Sequence, residues 1–203
     1  MRLAAKIISF VFHPLLMTTY LVIVLGTFFP QMLLIKPQAL YLFVLLVFFV
    51  TFVLPALNIV MFKMNGVISS LILTSRRERI LPFLFISIIY SMVTGLFFYK
   101  GSFGSNFNKL MLIVTLLVLA STLLTLFYKV SIHSVSIWGA VGILLPLNKV
   151  VEGTLIWPTL AIIVSAGFVM SSRLLLNAHT PREVMIGSVI GFSIGFGGLI
   201  FLF

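Results

Sequence analysis

The chain has no cysteine and no aspartate, and its only acids are Glu78, Glu152 and Glu183. Without cysteine there are no thiol nucleophiles, disulfides or thiolate metal sites. Three scattered glutamates are too few to build a two-metal hydrolytic centre. Charge is scarce altogether, at 8% of residues, where soluble domains carry about 25%. With 62% hydrophobic residues and a mean hydropathy of +1.31, the chain is excluded from the soluble globular class. It reads as a polytopic membrane protein. The thirteen Lys and Arg residues give a formal charge of +10, which in a soluble protein would suggest nucleic acid. Here the cations sit at the ends of apolar runs, where they meet headgroups and phosphates, so no nucleic-acid partner is expected.

A membrane span needs roughly 20 apolar residues at about 1.5 Å each. The stretches 8–29, 39–62, 80–99, 108–128, 133–147, 155–172 and 184–203 meet or approach that length, and the fifth is the shortest. The expected fold class is all-α, a polytopic membrane helical bundle of six to seven transmembrane helices forming a single domain over 1–203. Arg2 and Lys6 ahead of an apolar run imitate a signal peptide. The run continues to Phe29 without a small-residue cleavage pattern, so it reads as an uncleaved first span.

Several local signals are mainly structural. His13-Pro14 predicts a kink in the first span with the histidine turned toward a neighbouring helix, a direct role in a site being the alternative. Asn65-Gly66 reads as a turn, 67–75 as an interfacial helix, and 100–109 as a polar Gly/Ser loop without chemical signal. Glu152 reads as a solvated loop acid. Gly187, Gly191 and Gly195, four residues apart, predict close helix packing.

Alternating spans put the loops at 63–79, 129–132 and 173–183 on one face, together with the N-terminus. Every arginine, His133 and His179 then fall on that face. Arg76-Arg77-Glu78-Arg79 reads either as a basic cuff in the headgroups or as a phosphate clamp, since guanidinium forks match phosphoryl oxygens. Arg76 and Arg79, three apart, would share a helix face. The densest polar cluster runs from Ser172-Arg173 through His179 to Glu183, between two apolar runs, and charge is costly at membrane depth.

That cluster resembles the S-R-x5-H-x3-D signature of the type 2 phosphatidic acid phosphatase family, with Glu183 in place of aspartate. Of the family's P-S-G-H signature, Ser131 and His133 are present, with Val130 for proline and Ile132 for glycine. Of K-x6-R-P, Arg79 precedes Pro82 by three residues and the lysine is absent. The spacing of the clusters is most similar to the glucose-6-phosphatase branch. The resemblance implies phosphoryl transfer through histidine. His179 would attack phosphorus, Glu183 would orient it and stabilise its imidazolium, and His133 would protonate the leaving group and then activate water. Arg173, with Arg76, Arg77, Arg79 and Ser131, would hold the phosphate. No metal or cofactor is implied.

Each role has a plainer alternative. Thr180-Pro181-Arg182-Glu183 is also a capping box, Arg173 could snorkel from the sixth span, and His133 could be a junction histidine. The expected function is a membrane phosphatase acting on a lipid phosphate or diphosphate. The alternative is an inactive relative that binds anionic lipid or a partner. A transporter is less favoured, because no span carries an acid at its centre. Expected partners are a lipid phosphate substrate and membrane lipids, with a homo-oligomer left open. Nine Lys and Arg on the motif side against four opposite would place that side in the cytoplasm. Discounting the phosphate ligands nearly equalises the sides. The resemblance implies a bacterial inner membrane with the site facing the periplasm.

Overall fold

The computed structural model describes residues 1–71, 73, 75–100 and 103–203, and these are all-helical apart from turns and loops. In chain order come α1 (Arg2–Val11), a 3-10 turn (Pro14–Leu16), α2 (Met17–Phe28), α3 (Pro30–Leu33) and α4 (Pro37–Phe48). A π-helical stretch, Phe49–Val53, leads into α5 (Leu54–Met64). Then follow α6 (Arg76–Lys100), α7 (Ser105–Phe127), α8 (Ile132–Val150), α9 (Ile156–Leu175) and α10 (Pro181–Leu202).

Among the described residues, six segments are long and apolar enough to cross a membrane: Arg2–Phe28, Pro37–Met64, Arg76–Lys100, Ser105–Phe127, Ile156–Leu175 and Pro181–Leu202. This is an integral multi-pass membrane protein. The stretch expected as the fifth span, 133–147, forms α8 but falls outside that set. Its His133, Pro146, Asn148 and Lys149 dilute the apolar run, and its position explains why that is tolerated. Ser134, Val135, Ile137, Gly139 to Leu144 and Leu147 are buried, so α8 meets protein where the other helices meet lipid.

Two prolines break the first two spans in chemically useful ways. Pro14 lacks an N–H, and the helix stops at Val11, as the His13-Pro14 pair predicts. Pro55 likewise cannot donate to the Thr51 carbonyl four residues back. The chain loosens into the π turn there, and Tyr90 Oη–H donates to the freed Thr51 oxygen at 2.8 Å. That bond ties α6 to the second span.

A polar seam then joins α6 to α7. Ser87 meets Thr122 and Thr94 meets Thr115, each at 2.7 Å, and Asn108 Nδ2–H donates to the Phe97 carbonyl at 3.3 Å. Hydrogen bonds of this kind between membrane helices contribute about 0.6–2 kcal/mol each. The far end of the bundle is closed by Phe43, Phe97, Phe103 and Phe107, which pack ring to ring.

The glycine stripe on α10 does what its spacing predicts. A Cβ on Gly187 would stand 2.7 Å from the Ser131 carbonyl oxygen. On Gly191 and Gly195 it would run into the carbonyls of Val135 and Gly139. α8 and α10 therefore touch backbone to backbone, which fixes the start of α8 against the start of α10. Gly191→Ala is expected to destabilise the protein by about 1–3 kcal/mol, because the obstructing atoms are main chain and cannot turn aside. Gly197→Ala, which meets only a Phe201 ring edge at 4.0 Å, should leave the thermal midpoint unchanged or raise it.

Among the described residues of 67–75, where an interfacial helix is expected, none is helical. Residues 67–71 run through bends and loop, and Ile72 and Thr74 lie outside the described residues, as do Gly101 and Ser102 of the expected Gly/Ser loop. The 67–71 segment is held from below instead. The Glu78 carboxylate accepts from the Ser69 N–H at 2.9 Å and from the Ser75 hydroxyl at 3.1 Å, and Lys63 donates to the Ser69 carbonyl.

Candidate active site

The turn between α9 and α10 brings Arg173 and His179 together. Asn177 takes the left-handed conformation, φ 52°, just after the end of α9. The Ala178 N–H then donates to the Arg173 carbonyl at 3.1 Å and the Asn177 N–H to the Leu174 carbonyl at 2.9 Å. This is a Schellman closure, with asparagine where glycine is commonest. It reverses the chain within a few residues, so the five-residue gap between Arg173 and His179 becomes a tight return.

Thr180 caps α10, its hydroxyl accepting from the Glu183 N–H at 3.3 Å, and Pro181 occupies the first helical position. The carboxylate of Glu183 closes on His179, with Nδ1 and Oε2 2.6 Å apart. Glu183 thus serves both ends. Its amide completes the Thr180 half of the capping motif, and its side chain holds the imidazole. A carboxylate only accepts, so His179 Nδ1 carries the proton and Nε2 keeps its lone pair. The His179 side chain is 2% exposed. Burial pushes its pKa down to about 4, with Arg79 and Arg173 adding to the fall and Glu183 pulling the other way. Because the shift is downward, the ring is neutral above about pH 4 and becomes charged only below it.

His133 lies in the first turn of α8. Ser131 caps that helix, its Oγ accepting from Ser134, and donates its own N–H to the Glu183 carbonyl at 3.2 Å. The starts of α8 and α10 are therefore pinned by a main-chain bond next to the Gly187 contact. His133 Nε2 stands 3.0 Å from the Ser9 carbonyl oxygen. Its ring meets that of His13 edge-on at 5.8 Å.

The arginines divide. Arg79 is buried, with Nε donating to the Leu73 carbonyl at 2.7 Å and Nη1 to the Val130 carbonyl at 3.4 Å. Its charge is felt by His179 and Glu183. Arg173 is half-buried and its Nε has no partner among the described residues; His13, His133 and His179 all lie in its field. Arg76, expected with the phosphate ligands, instead points Nη1 at the carbonyls of Thr125 and Leu126, at the negative end of α7. Arg77 is exposed. Ser131, also expected there, is fully buried and its hydroxyl serves the cap. The structure thus collects His133, His179, Glu183, Arg79 and Arg173, and leaves Arg76, Arg77 and Ser131 to the scaffold.

Two further residues join the cluster, Lys129, which the sequence did not point to, and His13, for which a role in the site was the alternative reading. Lys129 lines an open depression with His179, Glu183 and Asn177. His13 is reached only because the proline break turns it inward, and the His13-Pro14 pair inside an apolar run was its one visible signal.

Residues 118–203 match the model of the PAP2 superfamily. The matched stretch is similar to that superfamily and makes up less than half of the chain. No curated protein and no solved structure matches the chain. The PAP2 stretch contains His133, Arg173, His179 and Glu183, while Arg79 and His13 lie upstream of it. Members of the superfamily are phosphatases acting on phosphate esters.

The unpartnered Arg173 Nε gives a direct test. A buried guanidinium edge without an acceptor suits a planar, two-pronged oxyanion. Arg173→Lys keeps the charge but loses the fork, and is expected to raise KM for a phosphate ester about tenfold or more. Steady-state kinetics with unchanged KM and kcat would return Arg173 to the role of membrane-interface anchor.

Proposed function

We propose that the protein is a membrane-embedded phosphatase that hydrolyses a lipid phosphate or diphosphate through a phosphohistidine intermediate. The observation that carries this reading is the buried His179–Glu183 pair at 2.6 Å, set among Arg79 and Arg173. It leaves a neutral Nε2 lone pair facing cationic surroundings, which is what attack on a phosphoryl group requires.

In the first half-reaction His179 Nε2 forms a bond to phosphorus and the bond from phosphorus to the leaving oxygen breaks. His133, which takes a proton on Nδ1 from the monoanionic phosphate ester as it binds, passes that proton to the leaving oxygen, so an alcohol (or a lipid monophosphate) departs. Arg173 and Arg79 balance the charge on the phosphoryl oxygens, and Glu183 holds the positive charge that forms on His179. In the second half-reaction water attacks phosphorus while His133 Nδ1 takes its proton. The bond to His179 breaks, inorganic phosphate leaves, and both histidines return to their starting states. A site at the end of a helical bundle lets a headgroup phosphate reach the cations while the acyl or prenyl chain stays in lipid.

Purified protein in bilayers is expected to release inorganic phosphate from phosphatidic acid or a prenyl diphosphate, with EDTA present. Binding of either lipid without release would favour an inactive, lipid-binding relative. We further place the protein in a bacterial inner membrane with the site on the periplasmic face. The chain has no cysteine of its own, so Asn177→Cys should be labelled in intact cells by a membrane-impermeant thiol reagent and Ser105→Cys should not. The reverse pattern would turn the site to the cytoplasm.

A further inference from the structure

We propose that the main-chain carbonyl of Ser9 is the positioning group for His133, holding its Nε2–H so that Nδ1 carries the exchanged proton. This inference rests on the phosphatase reading above.

The carbonyl is available because of the proline break. In an uninterrupted helix the His13 N–H would donate to the Ser9 oxygen. Here it turns to the Phe10 carbonyl at 3.2 Å, while Phe12 N–H takes the Ile8 carbonyl at 2.9 Å. Pro14 offers no N–H to draw the chain back into register. His13 then stabilises the break, its Nδ1 accepting from the Leu15 N–H at 3.3 Å as the cap of the 3-10 turn. Ser9 is left as one of the last-turn carbonyls without its usual donor. It is also buried, as is Ala5 one turn earlier, with α1 packed along α9. The oxygen is therefore held rigidly, and it meets His133 Nε2 at 3.0 Å.

The chemistry follows from what a carbonyl can do. It only accepts, so Nε2 must carry hydrogen in either charge state of the ring. Nδ1 is left as the single titrating atom, which is what a group acting first as acid and then as base needs. The end of α1 adds partial negative charge, favouring the imidazolium. Three groups face the same ring: His13 from the α1–α2 break, Arg173 from α9 and His179 from the α9–α10 turn. Burial pushes the His133 pKa well below its ordinary value and Arg173, His13 and His179 add to the fall, while the Ser9 carbonyl pulls the other way. A carboxylate does this for a histidine in a hydrolase triad; here an interrupted helix does.

The test weakens that one acceptor in the full chain in bilayers. Replacing the Phe10 amide nitrogen with oxygen turns the Ser9 carbonyl into an ester carbonyl, and the same replacement at Val11 weakens the neighbouring Phe10 carbonyl as a control. With an alkyl phosphate, whose leaving oxygen needs a proton, the ester at Phe10 is expected to lower kcat about tenfold to hundredfold at constant KM, and to move the pH profile. With 4-nitrophenyl phosphate, whose phenolate leaves unaided, the first-turnover burst of phenolate should keep its rate, while the later turnovers, which need His133 to activate water, should slow. The Val11 ester should behave as wild type with both. Pro14→Ala, which lets His13 N–H reclaim the Ser9 oxygen, should reproduce the selective loss, and neither change should have an effect in a His133→Ala background. Equal losses in the first-turnover release of both leaving groups, no loss, or a loss that persists without His133 would overturn the proposal while leaving the phosphatase standing. A wild-type protein that hydrolyses neither substrate would overturn both.

Discussion

His179→Ala is expected to abolish phosphate release, by about a thousandfold or more, with the protein still folded and inserted. The ring lies in the turn before α10, and among the described residues it hydrogen-bonds to Glu183 alone, so the helix contacts that build the bundle do not depend on it. No other histidine at this end is paired with a carboxylate among the described residues. His133 Nε2 is occupied by the Ser9 carbonyl, His13 Nδ1 by the Leu15 N–H, and the chain has no cysteine. The low pKa of His179 sharpens the expectation. A nucleophile that stays neutral down to about pH 4 should show no loss of its lone pair near pH 6.5, where an ordinary imidazole titrates. Turnover by His179→Ala within tenfold of wild type would remove the residue from the chemistry.

Glu183→Gln separates two readings that the sequence leaves level. As the acid of a capping box, Glu183 could be replaced by Gln with little consequence. As the partner of His179 it could not. An amide lacks the charge that stabilises the imidazolium, and it can present its NH2 to Nδ1 and so favour the wrong tautomer. A loss of about 10³- to 10⁴-fold in kcat is expected, as when a triad carboxylate is neutralised, with the thermal midpoint nearly unchanged. The cap itself should survive, because Thr180 takes the Glu183 main-chain N–H and that bond remains. The direction of the pKa is informative too. Removing Glu183's charge takes away the pull that raises His179, so the ring becomes harder to protonate and the lost activity cannot come from a charged nucleophile. Near wild-type turnover would leave Glu183 as a cap alone.

What the sequence made legible, and what it hid, follows from where each residue's partner lies. The α9–α10 cluster was readable because Arg173, His179 and Glu183 are close in sequence and joined by local geometry, the Asn177 turn and a helical i,i+4 pair. The Gly187, Gly191 and Gly195 stripe was readable because small residues at helical spacing have few other uses. α8 read as a weak span because periodicity measures contact with lipid, and α8 is enclosed by protein. The arginine group was overread as a whole. Its spacing marks a basic helix start, but only the tertiary arrangement sends Arg79 inward to Val130 and Arg76 to the end of α7. Ser131 looked like a ligand from its neighbour His133, yet a serine directly before a helix is most often a cap, and here it is one. The Ser9 carbonyl had no signal at all, since it is main chain and its role depends on a break four residues later.

The central claim is that phosphate passes through His179 Nε2, and trapping that adduct tests it most directly. His133→Ala should still accept a phosphoryl group from 4-nitrophenyl phosphate but fail to activate water, so the intermediate should accumulate. After rapid quenching and digestion at arginine, a phosphate stable in base and labile in acid should sit on the peptide Leu174–Arg182, in which His179 is the one histidine. The same label should be absent from the variant that also carries His179→Ala. Phosphate on any other peptide, an acid-stable adduct, or undiminished hydrolysis with no trapped phosphate would contradict the account.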